Sequence, residues 1–252
     1  MASIKVSIHQ PDFFPWLGFF HKVSQSDRFV VFEHVQAPRG KSWLSRNRIL
    51  LNGSPFWLTL PVRREGLQAI KDLNIDYSSN FERKHLGTIK QAYGKARFFD
   101  EVYPIVADLY SKRPKKVMEF NLNVIREFCG RLRLNAEFVY SSVLVNEVPA
   151  LSNMASNELV LELCVSAGGT SYVSGTGCID FIKPNAFFAQ GIEFWFQDFN
   201  GVEYTQCQDG PFIPNMSVLD ALFSLGFCET SKLLKPPMLV SPDKVSGLKN
   251  KN

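Results

Sequence analysis

Two prolines four positions apart, Pro11 and Pro15, follow directly on a strand pattern, and they constrain this chain more than any other feature. Ile4, Val6 and Ile8 alternate with Lys5 and Ser7, the period-two signature of a half-buried strand. Proline lacks an amide hydrogen and fixes φ, so neither that strand nor a simple helix can run through residues 11–15. The pattern predicts a strand that stops at His9-Gln10-Pro11-Asp12, then a loop leading into a short helix by residue 23.

A second apolar run, Phe29-Val30-Val31-Phe32, is apolar on both faces, as buried strands of a parallel sheet are. Residues 36–60 read as hairpins or loops, with residues 57–62 the clearest strand there and residues 70–75 a further short one. Helical periodicity covers residues 81–93, 99–110 and 116–132. Strands are expected at 137–141, 171–174 and 192–196, and helices at 157–167 and 218–225, the former ended by Gly168-Gly169. Strands alternating with helices at both ends of the chain predict an α/β fold: a mostly parallel, Rossmann-like sheet with a helical middle segment at about 81–133. Residues 1–235 form a single domain on this reading, and residues 236–252 a polar C-terminal tail.

The 252 residues are enough for one large domain with its own core. A net charge of +4, with basic residues scattered apart from Lys112, Arg113, Lys115 and Lys116, argues against nucleic acid as a partner. No stretch approaches a membrane span, so no membrane insertion is expected. The five cysteines follow no metal-ligand spacing and are odd in number, which predicts reduced thiols and, with no signal-peptide core at the start, a cytoplasmic location.

In open parallel sheets ligands bind beyond the carboxyl ends of the strands. Three polar segments fall at such ends: His9 to Asp12, Glu33 to Gln36, and Ser174-Gly175-Thr176-Gly177. Neighbouring strands would bring all three to one cleft. His9 is either a proton-transfer group or a hydrogen-bonded structural histidine that fixes the loop. His85, at the start of a helical stretch, is a second candidate or an exposed surface residue. The glycine loop can offer backbone N–H groups to a phosphate, although it is neither a Walker loop nor a dinucleotide fingerprint. Trp43, Arg46, Asn47 and Arg48 place an aromatic ring, guanidinium groups and an amide close together, suited to a base, a sugar or a phosphate, or simply to a packed loop. Cys178 is the best placed thiol, with no partner base named by the sequence.

Together these residues resemble the WbqC-like family. His9-Gln10-Pro11-Asp12-Phe13-Phe14-Pro15-Trp16-Leu17-Gly18-Phe19-Phe20 with Lys22 and Ser26-Asp27 is similar to that family's opening motif. Trp43 with Arg46-Asn47-Arg48-Ile49, then Trp57-Leu58-Thr59 with Pro61-Val62, and Lys84-His85 with Tyr93 resemble its next blocks. Tyr172-Val173-Ser174-Gly175, Gly177, Asp180, Gln197-Asp198-Phe199, Tyr204, Gln206 and Phe212-Ile213-Pro214-Asn215 resemble its later ones. Cys178 departs from the pattern, where a small residue is expected.

The resemblance implies work on an activated sugar in O-antigen or other surface-polysaccharide (lipopolysaccharide) biosynthesis. The expected activity is a transferase, an N-acyl- or aminoacyltransferase acting on a nucleotide-linked amino sugar. No cofactor is expected to stay bound, and no metal. The donor would be a thioester of coenzyme A or of the phosphopantetheine on a carrier protein, with an acidic acyl carrier protein docking at Lys112 to Lys116. On this reading His9 is the base, Asp27 or Asp180 orients it, and His85 assists. The substrate is held by Gln10, Trp16, Lys22, Trp43, Arg46, Asn47, Ser174, Gly175, Gly177, Tyr204 and Gln206, with Arg46 and Arg48 on the diphosphate. Two alternatives remain at this point: a nucleotidyl or other phosphate-handling transferase of the same pathway, and a non-catalytic nucleotide-sugar-binding protein.

Overall fold

Val6 and Ile8 point to one face of their strand and Ser7 and His9 to the other, so this strand needs cover on both sides. The computed structural model, which describes residues 3–199, 202–208 and 210–247, supplies it. The chain runs β1 (Lys5–His9), α1 (Leu17–Ser24), β2 (Arg28–Val31), β3 (Arg46–Leu51), β4 (Ser54–Thr59), β5 (Val62–Arg63), β6 (Asn74–Ile75), α2 (Phe81–Tyr93), α3 (Phe99–Ser111), α4 (Val117–Leu132), β7 (Glu137–Tyr140), α5 (Ser141–Glu147), α6 (Ser156–Ser166), β8 (Ser171–Gly175), α7 (Pro184–Ala189), β9 (Glu193–Gln197), α8 (Val218–Leu233) and β10 (Leu239–Val240).

Six strands form the main sheet in the order β10-β9-β8-β1-β2-β7, all pairs parallel except β10 with β9. The protein is an α/β protein with a mostly parallel, Rossmann-like sheet. From β1 the chain builds outward through β2 to β7, then crosses back to lay β8 and β9 on the other side of β1. The direction of growth reverses between β1 and β8, which leaves a crevice at their carboxyl ends. One face of the sheet is covered by α1, α2–α4 and α8, whose core includes Phe13, Phe14, Phe20, Phe29, Phe120 and Phe128. The other is covered by α6 and α7, which pack Leu159, Leu163 and Phe187 on Val6, Ile8, Val30 and Tyr172.

The expected strand over residues 57–62 splits in two. Pro61 interrupts it, so β4 ends at Thr59 and pairs with β3, while β5 starts at Val62 and pairs with β6. Asn52 and Gly53 join β3 to β4 with φ of 52° and 72°, the left-handed pair that a tight hairpin requires. The last helix runs past the expected end at 225 because it resumes after a break at Gly226, whose φ of 72° and ψ of 173° suit only glycine. Residues 239–240, expected within a polar tail, form the edge strand β10, and Pro242–Gly247 a 3-10 turn. A two-residue strand has no periodicity to read. Residues 248–252 of that tail lie outside the described residues. Among the described residues, no helix is long and apolar enough to cross a membrane.

Asp220 on α8 ties the hairpin to the helices. Its carboxylate accepts from the hydroxyls of Tyr93 (3.0 Å) and Tyr204 (2.7 Å) and from the amide of Gln206 (2.9 Å). The Tyr93 hydroxyl in turn accepts from the backbone N–H of Leu50 on β3. Removing the carboxylate leaves buried donors without an acceptor. Asp220→Ala is expected to lower stability by about 3 kcal/mol in urea denaturation; a loss below about 1 kcal/mol would mean that the network adds little.

Candidate functional site

The loop after β1 is held by buried amides. Asn121 on α4 donates to the carbonyls of Pro11 (2.7 Å) and Leu44 (2.8 Å), and Asn47 on β3 donates to that of Phe14 (2.8 Å). Phe14 has a φ of 39°, a left-handed conformation that a phenylalanine keeps only when its surroundings enforce it. The pinned loop sets His9, Gln10 and Asp12 at the carboxyl edge of β1, beside the crevice.

A cleft of about 710 Å³ opens on the α6 side of this edge. Gln10 enters it from the β1 loop, His34 and Gln36 from the segment after β2, and Cys178 from just beyond the glycine loop. Phe32, Leu159, Val160 and Phe181 supply apolar walls. The strands that carry the three polar segments are neighbours, but only the first two segments enter this cleft; the third contributes none of its residues, and Cys178 just beyond it does. His9, Ser174, Gly175 and Gly177 do not line this cleft.

The charged half of the site lies over α1, on the other side of the same edge. The His9 ring packs edge-on against Phe19 of α1, and its Nδ1 donates to the Gln10 carbonyl at 2.8 Å. That leaves the lone pair on Nε2. Asp12 Oδ2 is 3.8 Å from His9 Nδ1. Lys22, on α1, keeps only 5% of its surface, and a Cβ on Gly175 would stand 3.1 Å from its Nζ.

Burial, reinforced by the Lys22 ammonium, pulls His9 down to about 3, so the ring is neutral at physiological pH. Burial pushes the Asp12 carboxyl up to about 7, against the pull of Lys22. Burial also lowers Lys22, partly offset by Cys178 and Asp12.

Several expected site residues lie elsewhere. Asp27 stands at the opposite edge of the sheet: its Oδ2 accepts from the Lys5 N–H (2.7 Å) and its own N–H donates to the Lys5 carbonyl (2.9 Å). Lys5 opens β1 and His9 closes it, a rise of about 13 Å at 3.3 Å per residue, so Asp27 does not orient His9. His85 is buried on α2 among Phe13, Phe81 and Tyr110, bonded to the Tyr110 hydroxyl at 2.8 Å, and burial lowers it to about 4; it is a core histidine, neither exposed nor at the edge. Tyr204 and Gln206 serve Asp220, and Asn47 serves the Phe14 carbonyl.

Trp16 packs against Phe199, and its indole fills the space that a side chain at Gly18 would need. Trp43 is half exposed on the hairpin surface against Trp57, with Arg46 stacked 3.9 Å over Trp57 and Arg48 Nη2 donating to the Asn215 carbonyl. Gly177 faces open space, and Ser174 is buried. Around Lys112, the expected carrier-docking cations already have local partners: Lys112 pairs with Asp108, Arg113 with Glu82, and Lys116 donates to the Asp72 carbonyl.

Asp12 belongs to the opening motif but has no role among the sequence-based expectations. Its signal was its spacing: three residues after His9, across a proline that forces the loop to turn back.

Fold and site together define a Rossmann-like α/β protein with a two-sided crevice at its topological switch point. The chain belongs to the WbqC-like protein family, whose family model matches residues 10–232. It is also similar to the uncharacterized protein Rv1507c of Mycobacterium tuberculosis, 27% identical over 226 residues, which span 88% of this chain and 94% of that protein. No solved structure matches it.

The two shifts give opposite pH signs. His9, lowered, stabilises the fold above about 6.5 and loses that contribution as pH falls toward 3. Asp12, raised, stabilises it below about 4 and loses that contribution as pH rises through 7. Between pH 4 and 6.5 the two slopes oppose each other. In Asp12→Asn the opposing Asp12 slope is gone while every other group is unchanged, so stability should rise with pH more steeply than in wild type in urea melts at pH 4.5 and 6.5. Parallel slopes would contradict the Asp12 assignment.

Proposed function

We propose that the protein is a cytoplasmic N-acyl- or aminoacyltransferase that acts on a nucleotide-linked amino sugar in surface-polysaccharide biosynthesis and draws the acyl group from a thioester. The observation that carries this reading is the Asp12 carboxyl, held beside a neutral His9 at the carboxyl edge of β1. A carboxyl that titrates near 7 exchanges a proton readily at neutral pH, as a general base should. His9, drawn down by burial, is the weaker base, so Asp12 takes the part that the sequence reading gave to His9. The role left to His9 is to present Nε2 as an acceptor and to hold the loop through Nδ1.

In the step itself the sugar amine attacks the thioester carbonyl carbon and forms the C–N bond. Asp12 takes the amine proton, the C–S bond breaks, and the departing thiolate receives that proton. The apolar cleft, within the range of about 300–1,000 Å³ typical of small-molecule sites, suits the acyl chain and its thioester arm. Family membership supports the sugar setting by resemblance to relatives associated with surface-polysaccharide clusters.

The test is to incubate the protein with a panel of nucleotide amino sugars and acyl or aminoacyl thioesters and to follow product mass. The expected result is an N-acylated nucleotide sugar, with Asp12→Asn at least about 100-fold slower and its melting temperature little changed. Release of pyrophosphate from a nucleoside triphosphate and magnesium, with no acylated product, would overturn acyl transfer in favour of nucleotidyl transfer.

A further inference from the structure

Four ionisable residues besides histidine, cysteine and tyrosine are buried among the described residues: Asp12, Lys22, Glu33 and Asp220. Two of them are fully served by the fold. Glu33 accepts from Ser141 Oγ and from the Ser142 N–H and hydroxyl, and Asp220 accepts from Tyr93, Tyr204 and Gln206. Lys22 differs. Its ammonium makes no hydrogen bond and no ion pair within 4 Å among the described residues, although the residue is 95% buried. The other cations that form ion pairs do so at the surface, where water already solvates them. An ammonium so largely buried, with only the longer-range pull of Cys178 and Asp12 and no direct bond, costs stability, and a fold retains it where something else supplies a close counter-charge.

The space in front of that ammonium is open by composition. Gly175 closes β8 with φ −79° and ψ 152°, an ordinary extended conformation that any residue adopts. Glycine is therefore not required there by the backbone. It keeps space free, because a Cβ would come within 3.1 Å of Lys22 Nζ and the end of the lysine would have to give by a few tenths of an ångström. The two residues face each other across the β1–β8 switch point, where open sheets take their ligands.

We infer that Lys22 and the Gly175 edge form a seat for a phosphoryl group of the ligand. This deepens the transferase reading and rests on it for the ligand's wider identity. It moves the phosphate contact from Arg46 and Arg48, which are occupied by Trp57 and the Asn215 carbonyl, to the sheet edge. The same phosphate chemistry belongs to two molecules of the reaction, the diphosphate of a nucleotide sugar and that of coenzyme A. His9, neutral, and Asp12 border the seat; Asp12 acts on the ammonium through its charge, but none of its oxygens lies within 4 Å.

The test is calorimetric titration of inorganic pyrophosphate into the full chain, with Lys22→Met, Gly175→Ala and Arg46→Ala/Arg48→Ala as variants, alongside ligand-free thermal melts. Wild type should bind saturably. Lys22→Met should bind at least tenfold more weakly and Gly175→Ala severalfold more weakly, with the arginine double variant unchanged. Lys22→Met should also melt at or above wild type without ligand, because it removes an unpaired buried charge; a purely structural lysine would leave it well below. Competition by a uridine diphosphate sugar or by coenzyme A then tells which diphosphate occupies the seat. Wild-type-like binding by Lys22→Met, loss of binding in the arginine variant, or no binding of any probe by wild type would overturn the proposal. Should Lys22→Met fail to fold, the lysine is structural, and unchanged binding by Gly175→Ala would close the case against the seat. Pyrophosphate binding that depends on Lys22, with no acyl transfer from any thioester, would keep the seat and remove the transferase reading.

Discussion

Asn121 donates one buried amide to two carbonyls, those of Pro11 and Leu44, and the arrangement of the candidate site depends on it. Proline keeps its carbonyl while losing its N–H, so the loop after β1 has acceptors to satisfy and fewer donors of its own. The Asn121 amide, reaching from α4, meets that need and also anchors the approach to the β3–β4 hairpin. Asn47 does the same for the Phe14 carbonyl, and the Val218 N–H for that of Pro15. The helical middle and the hairpin are thus more than decoration on a Rossmann-like sheet. They hold one loop in a shape that it would not keep alone, and that loop carries His9, Gln10 and Asp12.

With the loop fixed, the reversal of strand order between β1 and β8 divides the carboxyl edge into two unlike halves. The α6 side is mainly apolar and roomy, with Gln10, His34, Gln36 and Cys178 at its polar positions. The α1 side is tight and charged, with His9, Asp12 and Lys22 crowded against Phe19 and Gly175. Burial acts on each group there in the direction that disfavours its charge, so a carboxyl is raised, an imidazole lowered and an ammonium lowered. The fold satisfies its other buried acids, Glu33 and Asp220, completely. His85 and Asp220 are shifted by burial too, but each is bonded within the core; shifted groups gathered beside an open strand edge are what a ligand site is expected to show.

Periodicity made the strands and long helices legible: Ile4, Val6 and Ile8 for β1, and the helical repeat of residues 81–93, whose bounds the structure reproduces in α2. The meeting of the first two polar segments in one cleft also followed from sequence, since it required only that neighbouring strands end where polarity begins. What stayed hidden was side-chain partnership. Asp27 took the orienting role from the resemblance, although it precedes β2 and so stands at the amino edge, while Asp12, which follows β1, was given none. Tyr204 and Gln206 belong to a motif whose purpose is to serve Asp220, a contact made across the chain from loop to helix. His85 lies beside Lys84 and Arg83, which suggested exposure, yet the turn of α2 points it inward against Tyr110.

The central claim is that ligand binds at the β1–β8 carboxyl edge. The most direct measurement is amide hydrogen exchange followed by mass spectrometry, with and without a nucleotide amino sugar. The account predicts new protection in peptides covering residues 8–13 and 173–179, with the exposed hairpin around Trp43 and Trp57 unchanged. Protection confined to that hairpin, with the sheet edge exchanging as before, would contradict it.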